Sequence, residues 1–219
     1  MKITCFQSLT NHKYTQLLLT LLLLFVAYAV VGAVAAEVIL SIILLTAIVL
    51  IVRTFFLQKR AFYFYIVIAG LAFISDCFYI LFTQSSYHRL IPALIADSVY
   101  SGFLILSIIL MLHKLFENTK VTIDTIVGGI CVFLLIGDLW FLFYSSIYLF
   151  HPAAFSSAGE TIQTFDLLYF SFTTLTTVGY GDVTPVSQLA KVIANFEAII
   201  GVIYPAIFIS RLVGGYNPN

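Results

Sequence analysis

Charge is what this sequence has least of: only 9% of its 219 residues are Asp, Glu, Lys or Arg, against ~25% in an ordinary soluble domain. So few charges cannot cover a water-facing surface, and most of the chain belongs in lipid. The ten basic and ten acidic residues cancel, and no stretch interleaves basic residues with aromatics, which excludes a polyanionic partner such as nucleic acid. Cysteine is nearly as scarce. Cys5, Cys77 and Cys131 lie far apart without a C-x-x-C pair, so they read as small buried hydrophobes and not as a metal or redox site. The histidines His12, His88, His113 and His151 are scattered at the ends of apolar runs. With no H-E-x-x-H or nucleophile pattern, they read as interfacial polar residues, and an enzyme is not expected. Internal repeats are absent, and no stretch between the apolar runs is long enough to fold alone, so no soluble ligand-binding domain is expected.

What the sequence has in abundance is long apolar runs; 62% of its residues are hydrophobic. Six runs reach the ~20 residues that a helix rising ~1.5 Å per residue needs to cross a bilayer. They are Tyr14–Gly32, Val38–Leu57, Phe62–Thr83, Ile91–Leu112, Ile123–Phe150 and Val186–Val213. A seventh, Thr164–Thr176, would cover only about 20 Å as a helix and fits a re-entrant segment. The expected fold is therefore an all-α membrane protein with six transmembrane helices and one re-entrant helix. The first two runs must turn back on each other near Gly32–Glu37. Alternatively the first is a signal peptide, since Lys2 and Lys13 precede its apolar core and Ala33-Val34-Ala35 resembles a small-residue cleavage site.

Basic residues accumulate in cytoplasmic loops. With the amino terminus inside, Lys2, Lys13, Arg53, Lys59, Arg60, Lys114, Lys120 and Arg211 are cytoplasmic, and only Arg89 and Lys191 are outside. Both termini are then cytoplasmic, and the loop around the re-entrant run opens outward.

The chemistry is concentrated in Thr173-Thr174-Leu175-Thr176-Thr177-Val178-Gly179-Tyr180-Gly181-Asp182, which resembles the pore signature of the potassium-channel superfamily. To pass K⁺ through a low-dielectric core, a protein must replace its water shell with oxygen dipoles that bind it without trapping it. Glycine at 179 and 181 permits positive φ, so that successive carbonyls can face one axis. The resemblance implies that Thr177, Val178, Gly179, Tyr180 and Gly181 form the selectivity filter, with oxygens of Thr177, Val178, Gly179 and Tyr180 taking K⁺. Val178 and Tyr180 would then point behind the filter, and Thr176, Asp182 and Tyr169 would support it. Asp166 and Glu160 are either mouth charges or ordinary loop and helix-start residues. One motif per chain implies four chains per ring, most simply a homotetramer. No resident cofactor is expected; K⁺ is the permeant ion.

The same resemblance implies a pore module, residues 123–219, and hydropathy alone sets a four-span peripheral module, residues 1–122, before it. The resemblance makes Gly201 and Pro205 candidates for a gate in the last span, although Gly201 could equally serve close packing. Where many relatives carry a tryptophan pair, this chain has Tyr169 and Phe170, so only Tyr169 can hydrogen-bond to Asp182. The fourth span departs further: Ile91–Leu112 contains no Lys or Arg, so an arginine-based voltage sensor is not expected. The spans instead hold Asp76, Asp97, Asp138 and Glu197, candidates for proton sensing or for hydrogen-bonded staples between helices. The sequence thus reads as a K⁺ channel subunit of a plasma membrane, of leak or pH-sensitive type. A transporter, which would show paired repeats, and a non-conducting subunit are the alternatives.

Overall fold

The computed structural model describes residues 13–30, 86–117, 121–157 and 161–215, with single helical positions at 42, 46, 49, 67, 70, 71, 73 and 74. Apart from those positions, the expected second and third spans lie outside the described residues. So do the turn near Gly32–Glu37 and residues Cys5, His12, Asp76, Cys77 and Glu160.

In chain order the elements are α1 (Lys13–Val30), α2 (Ser86–Glu117), α3 (Ile123–Phe150), a 3₁₀ turn (Pro152–Ala154), β1 (Phe155–Ser157), α4 (Thr164–Leu175), β2 (Val183–Pro185) and α5 (Gln188–Gly215). Among the described residues, three helices are long and apolar enough to cross a membrane: Ile91–Glu117, Ile123–Phe150 and Gln188–Gly215. At 12 residues, α4 reaches only about 18 Å, too short to cross.

Local chemistry sets these boundaries. Thr122 and Thr125 close α3 reciprocally: Thr125 N–H donates to Thr122 Oγ1 at 3.2 Å, and Thr122 N–H to Thr125 Oγ1 at 3.1 Å. Asp124 in the first turn suits the positive end of the helix dipole. The helix stops at His151, whose N–H still reaches Ile147 O at 2.9 Å, because Pro152 has no N–H to continue the ladder. At α4, Gln163 N–H donates to Asp166 Oδ2 at 2.8 Å, the helix-start role for Asp166. Ser187 Oγ accepts Ala190 N–H at 3.2 Å and so delays α5 to Gln188, two residues after the start expected from hydropathy.

Packing centres on α3, which touches α1, α2, α4 and α5. Cys131, Val132, Leu135, Phe141, Leu142 and Tyr144 are buried along it. In lipid, helices gain little by hiding apolar surface, so close van der Waals contact and interhelical hydrogen bonds hold them. Tyr144, Phe155 and Phe170 meet edge to face with centroids 5.0–5.6 Å apart, joining α3, β1 and α4. β1 and β2 pair antiparallel, with Ser156 opposite Thr184. Val186 and Ser187 N–H both reach Ala154 O, at 2.7 and 3.1 Å. These bonds fix the return path of the chain after the motif.

Candidate functional site: the pore-loop segment

The segment from Thr176 to Asp182 leaves the C-terminal end of α4 in an unusual conformation. Thr177, Gly179 and Gly181 have φ of +59°, +55° and +80°, and Thr177 is the only described non-glycine residue with positive φ. In a β-strand, successive carbonyls alternate sides. When every second residue adopts left-handed φ, the peptide planes can instead turn successive carbonyl oxygens toward one side. A Cβ at Gly179 or Gly181 would meet nothing within 4 Å. Backbone conformation, and not crowding, is what glycine supplies there.

The N–H groups of this segment are tied back to the helix it leaves. Thr176 N–H donates to Phe172 O at 3.0 Å and Thr177 N–H to Thr174 O at 2.9 Å. Val178 and Gly179 N–H both reach Thr173 O, at 2.9 and 3.2 Å. Thr176 Oγ1 adds a bond to Phe172 O at 2.6 Å. With the N–H groups of Thr176, Thr177, Val178 and Gly179 occupied on the α4 side, these residues have their carbonyls left to offer.

Tyr169 Oη donates to Asp182 Oδ2 at 2.8 Å, and Asp182 Oδ1 accepts Val183 N–H at 3.1 Å. The hydrogen bond to Asp182 stabilises the neutral phenol and pushes its pKa up to about 12. The Tyr169 ring lies parallel to Tyr180 with centroids 6.3 Å apart. Val178 and Tyr180 are nonetheless 52% and 73% exposed, so within one chain little packs behind them.

The remaining sequence candidates do not converge on this segment. Asp97 accepts Ser146 Oγ at 3.3 Å, between α2 and α3. Asp138 is buried in α3. Glu197, also buried, lies behind α4, where Ser171 Oγ is 2.6 Å from Oε1 and Tyr144 Oη bonds to Oε2. Neither Ser171 nor Tyr144 was marked by sequence. Their signal was polarity alone: Ser171 stands between Phe170 and Phe172 in an apolar helix.

Gly201 is buried where α5 crosses the end of α4, and a Cβ there would overlap the Leu175 carbonyl oxygen. Pro205 lies inside α5 and removes the N–H that would have bonded to Gly201 O. Tyr204 Oη donates to Gly129 O at 2.8 Å, holding this joint against α3. Among the described residues, no cluster of His, Cys, Asp or Glu could hold a metal ion.

Three helices long and apolar enough to cross a membrane, with a non-spanning helix and a loop of alternating positive φ before the last of them, define a helical integral membrane protein. Residues 130–214 match the family model described as "Ion channel". Protein LctB of Geobacillus stearothermophilus is 45% identical over 67 residues, 30% of this chain and 49% of that protein. Two pore potassium channel c of Oryza sativa subsp. japonica is 43% identical over 58 residues, 26% of this chain and 13% of that protein. Voltage-gated potassium channel Kch of Escherichia coli (strain K12) is 32% identical over 123 residues, 53% of this chain and 28% of that protein. The chain spans at most about half the length of these relatives. No solved structure matches. Residues 130–214 are thus similar to the ion-channel region of proteins named as potassium channels.

Proposed function

We propose that this chain is one subunit of a potassium-selective channel that lets K⁺ move passively down its gradient. The observation that carries the reading is the alternation of positive φ at Thr177, Gly179 and Gly181 in a loop whose N–H groups from Thr176 to Gly179 are bonded back to α4. That arrangement frees backbone oxygens to replace the ion's water shell while presenting no full charge to trap it. Oxygens of Thr177, Val178, Gly179 and Tyr180 would take K⁺, with Gly181 closing the filter.

One chain supplies one filter strand, so the working channel is a homotetramer around a shared axis. The surface of α5 supports this. Only 22% of its most apolar window is buried, against 56% for α3, and Phe196, Ile199, Val202, Ile203, Ile207 and Ile209 are exposed. Neighbouring copies would cover part of that face and the back of Val178 and Tyr180. Residues 123–219 form the pore module and residues 1–122 a four-span peripheral module, giving six spans in all. The termini face the cytoplasm of a plasma-membrane protein, and the filter opens outward. Asp182 at the mouth raises the local cation concentration.

The gate is assigned to the Gly201–Pro205 joint, with bending at the bond missing above Pro205 and Gly201 serving the close contact with α4. Gating is of leak or proton-sensitive type. Planar-bilayer current with K⁺ on one side and Na⁺ on the other tests the reading. Reversal near the K⁺ equilibrium potential, lost in Gly179→Ala, is expected. Equal K⁺ and Na⁺ permeability would refute it, and no current at all would favour a silent subunit or a transporter.

A further inference from the structure

Behind α4, three helices meet at one buried polar node. Glu197 of α5, Ser171 of α4 and Tyr144 of α3 are each 0% exposed. Ser171 Oγ lies 2.8 Å from Gly137 O and 2.6 Å from Glu197 Oε1, while Tyr144 Oη donates to Glu197 Oε2.

The protons can be counted. A serine hydroxyl has one hydrogen, a backbone carbonyl only accepts, and an ionised carboxylate only accepts. With Glu197 ionised, Ser171 would face two acceptors with one hydrogen. One close oxygen pair would then have no proton between its atoms, a costly arrangement for buried groups. With Glu197 neutral, every contact is satisfied in sequence. Glu197 Oε1–H donates to Ser171 Oγ, Ser171 Oγ–H to Gly137 O, and Tyr144 Oη–H to Glu197 Oε2.

Among the described residues, neither α3 nor α4 carries a Lys, Arg or His to favour the ionised form. The titratable groups of α3 are Asp124, Cys131, Asp138, Tyr144 and Tyr148, and those of α4 are Asp166 and Tyr169. On α5 itself, Lys191 and Arg211 stand six and fourteen residues away, about 9 and 21 Å along the axis.

We propose that Glu197 is held as a neutral carboxylic acid whose proton positions α4 by completing the hydrogen-bond chain through Ser171. The consequence for the pore rests on the filter reading above. Ser171 is two residues from Thr173, whose carbonyl accepts the Val178 and Gly179 N–H groups. The proton on Glu197 thus secures the base on which the filter stands, and Glu197 is a positioning residue.

The test uses the full chain reconstituted in lipid. Infrared difference spectra between wild type and Glu197→Gln should show one carboxylic-acid carbonyl band at neutral pH that is absent in the variant. A carboxylate band in its place overturns the proposal. This readout needs no current, so it stands or falls separately from K⁺ conduction. Glutamine offers Ser171 a donor and Tyr144 an acceptor, and should keep wild-type K⁺ over Na⁺ selectivity. Ser171→Ala, which breaks the chain with little change of volume, should lower selectivity tenfold or more. As pH rises until the acid band disappears, wild-type selectivity should fall while Glu197→Gln stays constant. Equal loss in Glu197→Gln and Ser171→Ala at neutral pH would mean that the negative charge is what matters, and would overturn the proposal.

Discussion

The Tyr169 hydroxyl sits 2.8 Å from Asp182 Oδ2, and the other oxygen of the same carboxylate holds Val183 N–H at 3.1 Å. One side chain therefore grips both the non-spanning helix and the strand that leads away from the motif. Because β2 is itself paired with β1, the clamp ties the loop to that strand pair.

Tyr169→Phe keeps the ring beside Tyr180 and deletes only this hydrogen bond. Sustained K⁺ current should decay severalfold faster in the variant, with the initial K⁺ over Na⁺ ratio unchanged. Decay at the wild-type rate would show that the clamp does not hold the filter.

The same bond fixes a pH window. The phenol is raised from about 10 in the unfolded chain to about 12 here. For a group whose folded pKa is raised, the stabilisation is fully present below the unfolded value and is lost as pH rises through the folded value. Current decay should therefore not change between pH 7 and 9 on the outer side on account of Tyr169. A Tyr169-dependent acceleration, absent in Tyr169→Phe, should emerge only above about pH 10. Its appearance near pH 8 would contradict the assigned hydrogen bond.

Gly181 has φ of +80° with open space where a Cβ would stand. An L-residue there costs about 1–2 kcal/mol per residue because its Cβ crowds the following carbonyl, whereas D-alanine prefers this φ. A semisynthetic channel with D-Ala at 181 should keep K⁺ selectivity, and Gly181→Ala should lose it. If both behave alike, the backbone argument fails.

Legibility from sequence followed the range of the forces involved. The limits of α3, Ile123–Phe150, coincide with the apolar run because Thr122 and Pro152 bracket it with local capping chemistry. Helix α2 runs from Ser86 to Glu117, beyond the expected Ile91–Leu112, because hydropathy marks lipid contact while a helix continues into water. β1 and β2 were not expected at all. Three residues are too few to show an alternating pattern, and each strand is defined only by its partner. The node at Glu197 was half visible: the acid stood out, but its partners Ser171 and Tyr144 lie 26 and 53 positions away, and no local pattern links them.

Gly201 meets the Leu175 carbonyl, a backbone atom that cannot rotate aside. Gly137, by contrast, faces the Phe172 ring, which can. Gly201→Ala should therefore force α4 and α5 apart and destabilise the folded protein by about 1–3 kcal/mol, the usual cost of overpacking. Gly137→Ala should cost less. Thermal unfolding in detergent compares them; an unchanged Tm in Gly201→Ala would return Gly201 to the role of a free hinge.

Helix α2 sets the last expectation. Moving one elementary charge across the whole field is worth about 2.3 kcal/mol per 100 mV, and steep voltage dependence comes from several basic residues moving together. From Ile91 to Leu112, α2 has none. Its basic residues at the C-terminal end are His113, beside Glu117 at 3.7 Å, and Lys114 in the last turn. Its one acid in that stretch, Asp97, is bonded to Ser146 of α3, which holds it in place rather than letting it travel. Open probability should therefore change by less than about tenfold per 100 mV. Single-channel recording between strongly negative and strongly positive potentials measures this directly. A much steeper dependence would mean that the sensing charges reside outside α2, and Arg53, Lys59 and Arg60 would be the first to neutralise.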